Sequence, residues 1–273
     1  SGLEKELPPI AHAVASAAHT ANALDAVERA IYELENDPEL NAGFGSVLNL
    51  NGAIELDAGI ADGATQRSGA VTSVGVRHPI VLARRVMEHT PHVFMLGEGA
   101  TELGSDLEVL TASTDEQVQR WKKARDDGTL SPQHFGAPQH VDTVGAIALD
   151  DAGDLVAGSS TGGVFGKLPG RVGDACIFGA GFYASPEAAV MGTGVGELFI
   201  EFIASARVGF AIESGVHPQR ACEQVITLMG LRRTSTAGLI ALDRDGNVGA
   251  AFRGGALRVE STDGAIEPRR LEI

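Results

Sequence analysis

At 273 residues, 44% of them hydrophobic and with a mean hydropathy of +0.05, the chain has enough apolar side chain for one large core or two small ones. Its 36 acidic against 21 basic residues leave a formal charge of −15, which repels a phosphate backbone and argues against nucleic acid as a ligand. No stretch reaches the roughly 18 consecutive apolar residues of a membrane span, and the opening SGLEKELPPI lacks the basic and apolar regions of a secretion signal. Cys176 and Cys222, the 2 cysteines, have no Cys-x-x-Cys spacing, so a reducing cytoplasmic compartment is expected and structural zinc is not. Lysine is scarce (Lys5, Lys122, Lys123, Lys167), which fits a high-salt or GC-rich source, although ordinary acidic solubility explains the charge as well.

Along the chain, Leu24, Val27, Ile31 and Leu34 recur at helical spacing in ALDAVERAIYELEND and predict an amphipathic helix. GSVLNLNGAIELDAGIADG and GAVTSVGV are short, glycine-punctuated and rich in β-branched residues, so they predict strands. A second helix follows Pro79 in IVLARRVMEHT. From Thr101 to His140 the composition turns polar, with one helix expected and then a mobile linker rich in Gly, Pro and Gln. VGAIALDDAGDLVAGSST and AGLIALDRDGNVGAAF each predict a hairpin closed by an Asp/Gly turn. Between them, AAVMGTG predicts a strand, and GELFIEFIASARVGFAIES and PQRACEQVITLM predict helices. Hairpins flanked by helices give an α+β class with two packed sheets and outer helical layers.

Three stretches carry chemistry. GTGVGE, at Gly192 to Glu197, is not the dinucleotide pattern and has no parallel βαβ unit around it, yet its glycines would let backbone N–H groups approach an oxyanion. KLPGRVGD places Arg171 and Asp174 on a Pro/Gly-shaped loop. They are either a loop salt bridge or the cation and anion that an amino-acid zwitterion requires. Thr143 begins a strand right after Asp142, and most strand threonines are structural. If the bond before it is cut, however, its own α-amino group, with a pKa of about 7.7–8, can take the hydroxyl proton. The 8 histidines show no metal-ligand spacing, and His78, His89 and His92 flank a helix as expected surface or capping groups.

Taken together, NAGFGSVLNLNGAIELDAGIADG, GAVTSVGVRHPIVLARRVMEHTPHVFMLGEGA, DTVGAIALD, SSTGGVFGKLPGRVGD, GAGFYAS and GTGVGE resemble the plant-type L-asparaginase/isoaspartyl peptidase family of N-terminal nucleophile hydrolases. The resemblance implies one domain with a four-layer αββα sandwich, made as a precursor that cuts itself between Asp142 and Thr143 into subunits 1–142 and 143–273. It implies Thr143 as nucleophile, with Thr161 orienting it, and an oxyanion hole at Thr193 and Gly194. Arg171 and Asp174 would hold the substrate zwitterion, Gly196 would line the pocket, and Asn41 would support the nucleophile region. It also implies a structural sodium ion held largely by backbone carbonyls in a loop with Leu34, Glu35, Asp37, Leu40, Ala42 and Phe44, and no cofactor for catalysis. The expected substrates are L-asparagine and isoaspartyl dipeptides, and the expected assembly is a dimer of precursors or of cleaved heterodimers.

Departures from the family pattern bear on these expectations. The family's strand ending His-Gly-Gly-Ala-Gly is not in this sequence, so either self-cleavage is slow or incomplete or LPPIAHAV supplies a replacement segment. Ala175-Cys176 follows Asp174 where Ser-Pro is usual, and Val195 occupies a variable pocket position. Glycosylasparaginase shares DTVG and GRVGD but tends to carry Thr-Gly-Asp-Gly where this chain has TGVGE. A non-catalytic, poorly processed binding protein is the alternative from a different class.

Overall fold

The computed structural model describes residues 9–132, 143–233 and 235–272. The second half of the polar linker, Asp142 and the Asp142–Thr143 bond lie outside the described residues. Two five-stranded sheets and a two-stranded ribbon organise the rest. The first sheet contains β1 (Leu56–Asp62), β2 (Arg67–Val74), β3 (Phe94–Leu96), β4 (Val144–Leu149) and β5 (Leu155–Thr161), in the spatial order β3-β2-β1-β5-β4. The second contains β6 (Phe182–Ala184), β7 (Ala188–Gly194), β8 (Ala237–Asp243), β9 (Val248–Arg253) and β12 (Arg269–Arg270), in the order β12-β9-β8-β7-β6. β10 (Val259–Ser261) and β11 (Gly264–Ile266) form the ribbon. Both predicted hairpins are present, β4–β5 and β8–β9, and each is antiparallel.

The helices are α1 (Pro9–Ala17), α2 (Ala23–Asn36), α3 (Pro79–His89), α4 (Gly97–Leu103), α5 (Asp115–Asp126), α6 (Gly196–Phe202), α7 (Ala204–Glu213) and α8 (Pro218–Arg232). Asn22 starts α2 by accepting the Asp25 N–H at 2.8 Å, and Val27, Ile31 and Leu34 are buried as their spacing requires. α2 and α3 lie against β1, β2, β4 and β5, whereas α7 and α8 lie against β6 through β9. The two sheets touch through β1, β4 and β5 on one side and β6, β7 and β8 on the other. Ala61, Leu155, Ala157, Phe182, Ala184 and Ala189 fill that interface. Its small residues make room for the Phe182 ring, which occupies the space a side chain at Gly59 would need.

Two predicted elements come out differently. GSVLNLNGAIE is not a strand, because its backbone N–H groups go to side chains and to a distant carbonyl and not to a strand partner. Val47 N–H donates to the Asn41 side chain, Asn51 and Ala53 N–H donate to that of Asn49, and Leu50 N–H donates to the Lys167 carbonyl. The predicted helix over GELFIEFIASARVGFAIES is two helices broken at Ile203, whose φ of 47° is unusual for a β-branched residue. The break is stabilised from outside, since the Ser205 and Ala206 N–H groups donate to the carbonyls of Ala180 and Gly179. α1, α4 and the ribbon were not anticipated from the sequence pattern.

Candidate active site

The β4–β5 register pairs Val144 with Ser160, which sets Thr143 beside Thr161, and the β1–β5 register pairs Thr161 with Asp57. The Thr143 and Thr161 hydroxyl oxygens stand 3.4 Å apart. Thr161 Oγ1 also accepts the Gly163 N–H at 3.0 Å and lies 3.5 Å from the Asn41 carbonyl. Asn41 ties this corner together. Its Nδ2 donates to the Gly163 carbonyl at 2.7 Å, its Oδ1 accepts from Val47 N–H at 3.0 Å, and its carbonyl accepts from Gly162 N–H at 2.8 Å. Thr161 and Asn41 are buried and Thr143 is partly accessible.

Arg171 enters the same corner. Its Nη1 lies near the faces of Gly163 and Gly173 that a side chain would otherwise cover, and its Nη2 lies near that of Gly196. Gly196 approaches Asp174 as well, so Arg171, Asp174 and Gly196 form one contact cluster. The loop salt bridge between Arg171 and Asp174 is not what forms: Arg171 makes a bidentate pair with Glu197, Nε to Oε1 at 2.8 Å and Nη2 to Oε2 at 2.9 Å. Asp174 is buried and its Oδ2 has no hydrogen-bond partner. Burial pushes its carboxyl up to about 7, against the pull of the Arg171 charge. The unused Asp174 oxygen has the chemistry to accept from an ammonium, and the neighbouring guanidinium that to donate to a carboxylate.

Thr193 and Gly194 end β7 and lead directly into Gly196, so chain continuity joins them to this cluster. The Thr193 methyl packs over Gly238 on the neighbouring strand. Gly194 has φ +148°, and a side chain there would run into the Thr236 carbonyl and the Phe199 ring, so glycine is required at the strand end.

A profile described as asparaginase matches residues 4–265. An isoaspartyl peptidase of Salmonella typhimurium is 42% identical over 243 residues, covering 85% of this chain and 78% of the relative. The chain belongs to the asparaginase family. A Mus musculus isoaspartyl peptidase/L-asparaginase is 40% identical over 231 residues, 83% of this chain and 71% of its own length. A plant-type L-asparaginase of Pyrococcus furiosus is 39% identical over 272 residues, covering 91% and 88%.

In this asparaginase-family chain the loop after α2 gathers carbonyls. Those of Asp37, Pro38 and Leu40 converge on the space that a side chain at Gly45 would fill, and those of Glu35 and Arg77 do the same at Gly43. The Leu34 and Ala42 carbonyls accept the Asp37 and Gly45 N–H groups, and the Phe44 carbonyl faces the Ser113 hydroxyl at 3.4 Å. The Glu35 side chain turns away from the loop into the core. There its Oε1 accepts from Ser160 Oγ at 2.6 Å and Ile80 N–H at 3.1 Å, and its Oε2 lies 3.3 Å from His78 Nδ1. The His78 side chain makes no capping bond to α3 and instead faces Glu35 and stacks on Tyr32 with centroids 3.7 Å apart, whereas His89 and His92 are exposed.

Three charged residues of this corner are not marked by the motifs. Glu197 is only the last residue of the GTGVGE stretch. Lys167, almost wholly buried, donates to the Glu55 carbonyl at 2.8 Å beside Gly163, and burial pulls its ammonium below the ordinary lysine range. Asp57 is the third, and its signal is an acidic residue among the apolar interior positions of a strand, unlike Asp62 at the strand end. Among the described residues no helix is long and apolar enough to cross a membrane.

Proposed function

We propose that this chain is a threonine-nucleophile amidohydrolase that cleaves β-aspartyl amides, L-asparagine and isoaspartyl dipeptides, after cutting itself before Thr143. The observation that carries this is the 3.4 Å approach of Thr143 and Thr161 next to a cluster of Arg171 with a buried, incompletely bonded Asp174. Cleavage frees the Thr143 α-amine, which takes the proton from the hydroxyl as it attacks the substrate's β-carbonyl. The Thr193 hydroxyl and the Gly194 N–H stabilise the tetrahedral oxyanion. The amine product leaves with a proton, a β-aspartyl ester to Thr143 remains, and water, deprotonated by the same amine, hydrolyses it.

Arg171 receives the substrate α-carboxylate and Asp174 the α-ammonium, so the reacting side chain is presented to Thr143 at a fixed distance. Glu197 occupies the Nε/Nη2 edge of Arg171, which leaves Nη1 for the substrate. Thr161 and Asn41 hold the nucleophile corner. The carbonyl cradle of Asp37, Pro38 and Leu40 suits a hard monovalent cation, and these residues would hold a structural sodium ion away from the chemistry.

The same reading makes the molecule a four-layer αββα sandwich and a cytoplasmic enzyme, its two cysteines buried and free. It assembles with a second copy, for which exposed Phe94, Leu96, Phe178 and Phe210 offer apolar surface. Thr143→Ala tests the core of the proposal. The variant is expected to stay a single chain on a denaturing gel and by intact mass, and to hydrolyse neither substrate. Wild-type turnover in that variant would refute the mechanism. Wild-type enzyme is expected to cleave a β-aspartyl dipeptide faster than glycosylasparagine.

A further inference from the structure

β1 carries an acidic side chain, Asp57, that is fully shielded from solvent. The β1–β2 pairing is irregular at this residue. Leu56 pairs with Val74 and Ala58 with Val71, so Thr72 and Ser73 together oppose Asp57. This bulge brings the Thr72 hydroxyl to 2.6 Å and the Ser73 N–H to 3.3 Å from Asp57 Oδ1. Ser73 has φ 54°, a left-handed conformation that a serine holds only when its surroundings enforce it. The other carboxylate oxygen, Oδ2, accepts the Gly173 N–H at 3.2 Å. Gly173 is the residue directly before Asp174 in the Arg171–Asp174 loop.

All of these partners are donors, and they approach both oxygens. Asparagine could accept on one side only and would set its NH₂ against a donor on the other. The site therefore calls for a carboxylate. Its neighbours give that charge a reach beyond its own bonds. Arg171, Lys167, Asp174 and Cys176 all feel it, and the groups acting on Asp174 are Arg171, Glu197 and Asp57, with Cys176 close by.

We propose that Asp57 is the positioning residue for the substrate zwitterion. Its carboxylate fastens the loop bearing Arg171 and Asp174 to the strand that lies beside Thr161, so the distance from the two anchors to the nucleophile is set through Asp57. The inference rests on the assignment of Arg171 and Asp174 as those anchors. A positioning role is distinguishable from mere support of the fold. Removing the Asp57 charge takes away one influence that raises the Asp174 carboxyl, so Asp174 should stay ionised to lower pH.

The test compares Asp57→Asn, Thr72→Val and Thr72→Ser with the wild type on L-asparagine and a β-aspartyl dipeptide, with rates normalised to cleaved chain measured by intact mass. Asp57→Asn is expected to raise KM about tenfold while kcat changes about threefold or less. The acid-side, steeper segment of its kcat/KM profile should begin at lower pH. Thr72→Val should raise KM in the same sense, and Thr72→Ser, which keeps the hydroxyl, should restore it. A lowered melting temperature with unchanged KM and pH profile would assign Asp57 to the fold alone and overturn the proposal. If Asp57→Asn does not fold, equal KM values for Thr72→Val and the wild type overturn it instead. Arg171→Ala and Asp174→Ala separate the two possible failures. If they leave KM unchanged, the anchor assignment falls and takes this inference with it. If they raise KM and Asp57→Asn does not, only the role of Asp57 falls.

Discussion

Asp174 gathers the opposing demands of this site into one side chain. Burial raises its folded pKa to about 7, so the fold favours the protonated carboxyl. That contribution to stability is fully present below the ordinary aspartate range and is lost as pH rises through about 7. The proposed role of Asp174 as partner of a substrate α-ammonium has the opposite requirement, because it needs the ionised form. The kcat/KM of cleaved enzyme is therefore expected to fall as pH drops through about 7, steeply, since the Thr143 amine is also being protonated from about 7.7–8 downward. Asp174→Asn should leave a shallower acid limb at much lower activity. It should also raise the melting temperature above that of the wild type once the pH exceeds about 7. A pH–rate profile and a pH–melting series check the two halves separately. Loss of the Arg171 contact, at about 1.5–3 kcal/mol for a charge-assisted bond, should reduce kcat/KM roughly ten- to a hundredfold.

At the scale of elements, Glu35 shows how the layers hold β5, the strand that ends in Thr161. One carboxylate on α2 receives a hydroxyl from β5 and an N–H from the first turn of α3, and it faces His78 just before that helix. Burial raises its pKa while His78 and Ser160 lower it. The stability tied to the protonated form is thus present at low pH and lost as pH rises through the folded pKa. Glu35→Ala would strand two buried donors, Ser160 Oγ and Ile80 N–H, and is expected to destabilise by about 3 kcal/mol or more. Glu35→Gln, which keeps an acceptor, should cost less. Because Ser160 adjoins Thr161, Glu35→Ala should also lower kcat, and denaturant titration beside steady-state kinetics will show whether the two losses travel together.

Across the whole molecule, the cut expected before Thr143 falls between strands of one sheet. β1, β2 and β3 come from the residues before it, β4 and β5 from those after it, and β1 is paired to β5 along six residue pairs. α2 also packs on β4 and β5. Cleavage should consequently leave one folded body. The cleaved protein is expected to show two bands on a denaturing gel, an unchanged native mass, and one cooperative melting transition. Separation of fragments 1–142 and 143–273 without denaturant would contradict this arrangement.

What the sequence determined by itself was local: the period of α2 and α3, the Asp/Gly hairpins and the strand AAVMGTG, while Thr161 and Gly196 stood out only through the family resemblance. The local features depend on backbone preferences and side-chain spacing within a few residues, and such forces are written in the chain itself. Pairings across long separations were decided by the tertiary structure. Arg171 finds Glu197 at a separation of 26 residues, Asp57 finds Gly173 at 116, and Glu35 finds Ser160 at 125. GSVLNLNGAIE is turned away from a strand mainly by nearby side chains, Asn49 within it and Asn41 just before it, with Lys167 the distant partner, whereas the helix break at Ile203 is held by carbonyls brought in from Gly179 and Ala180. A buried donor or acceptor must be satisfied by whatever the fold places next to it, and periodicity in a single chain does not say which residue that will be.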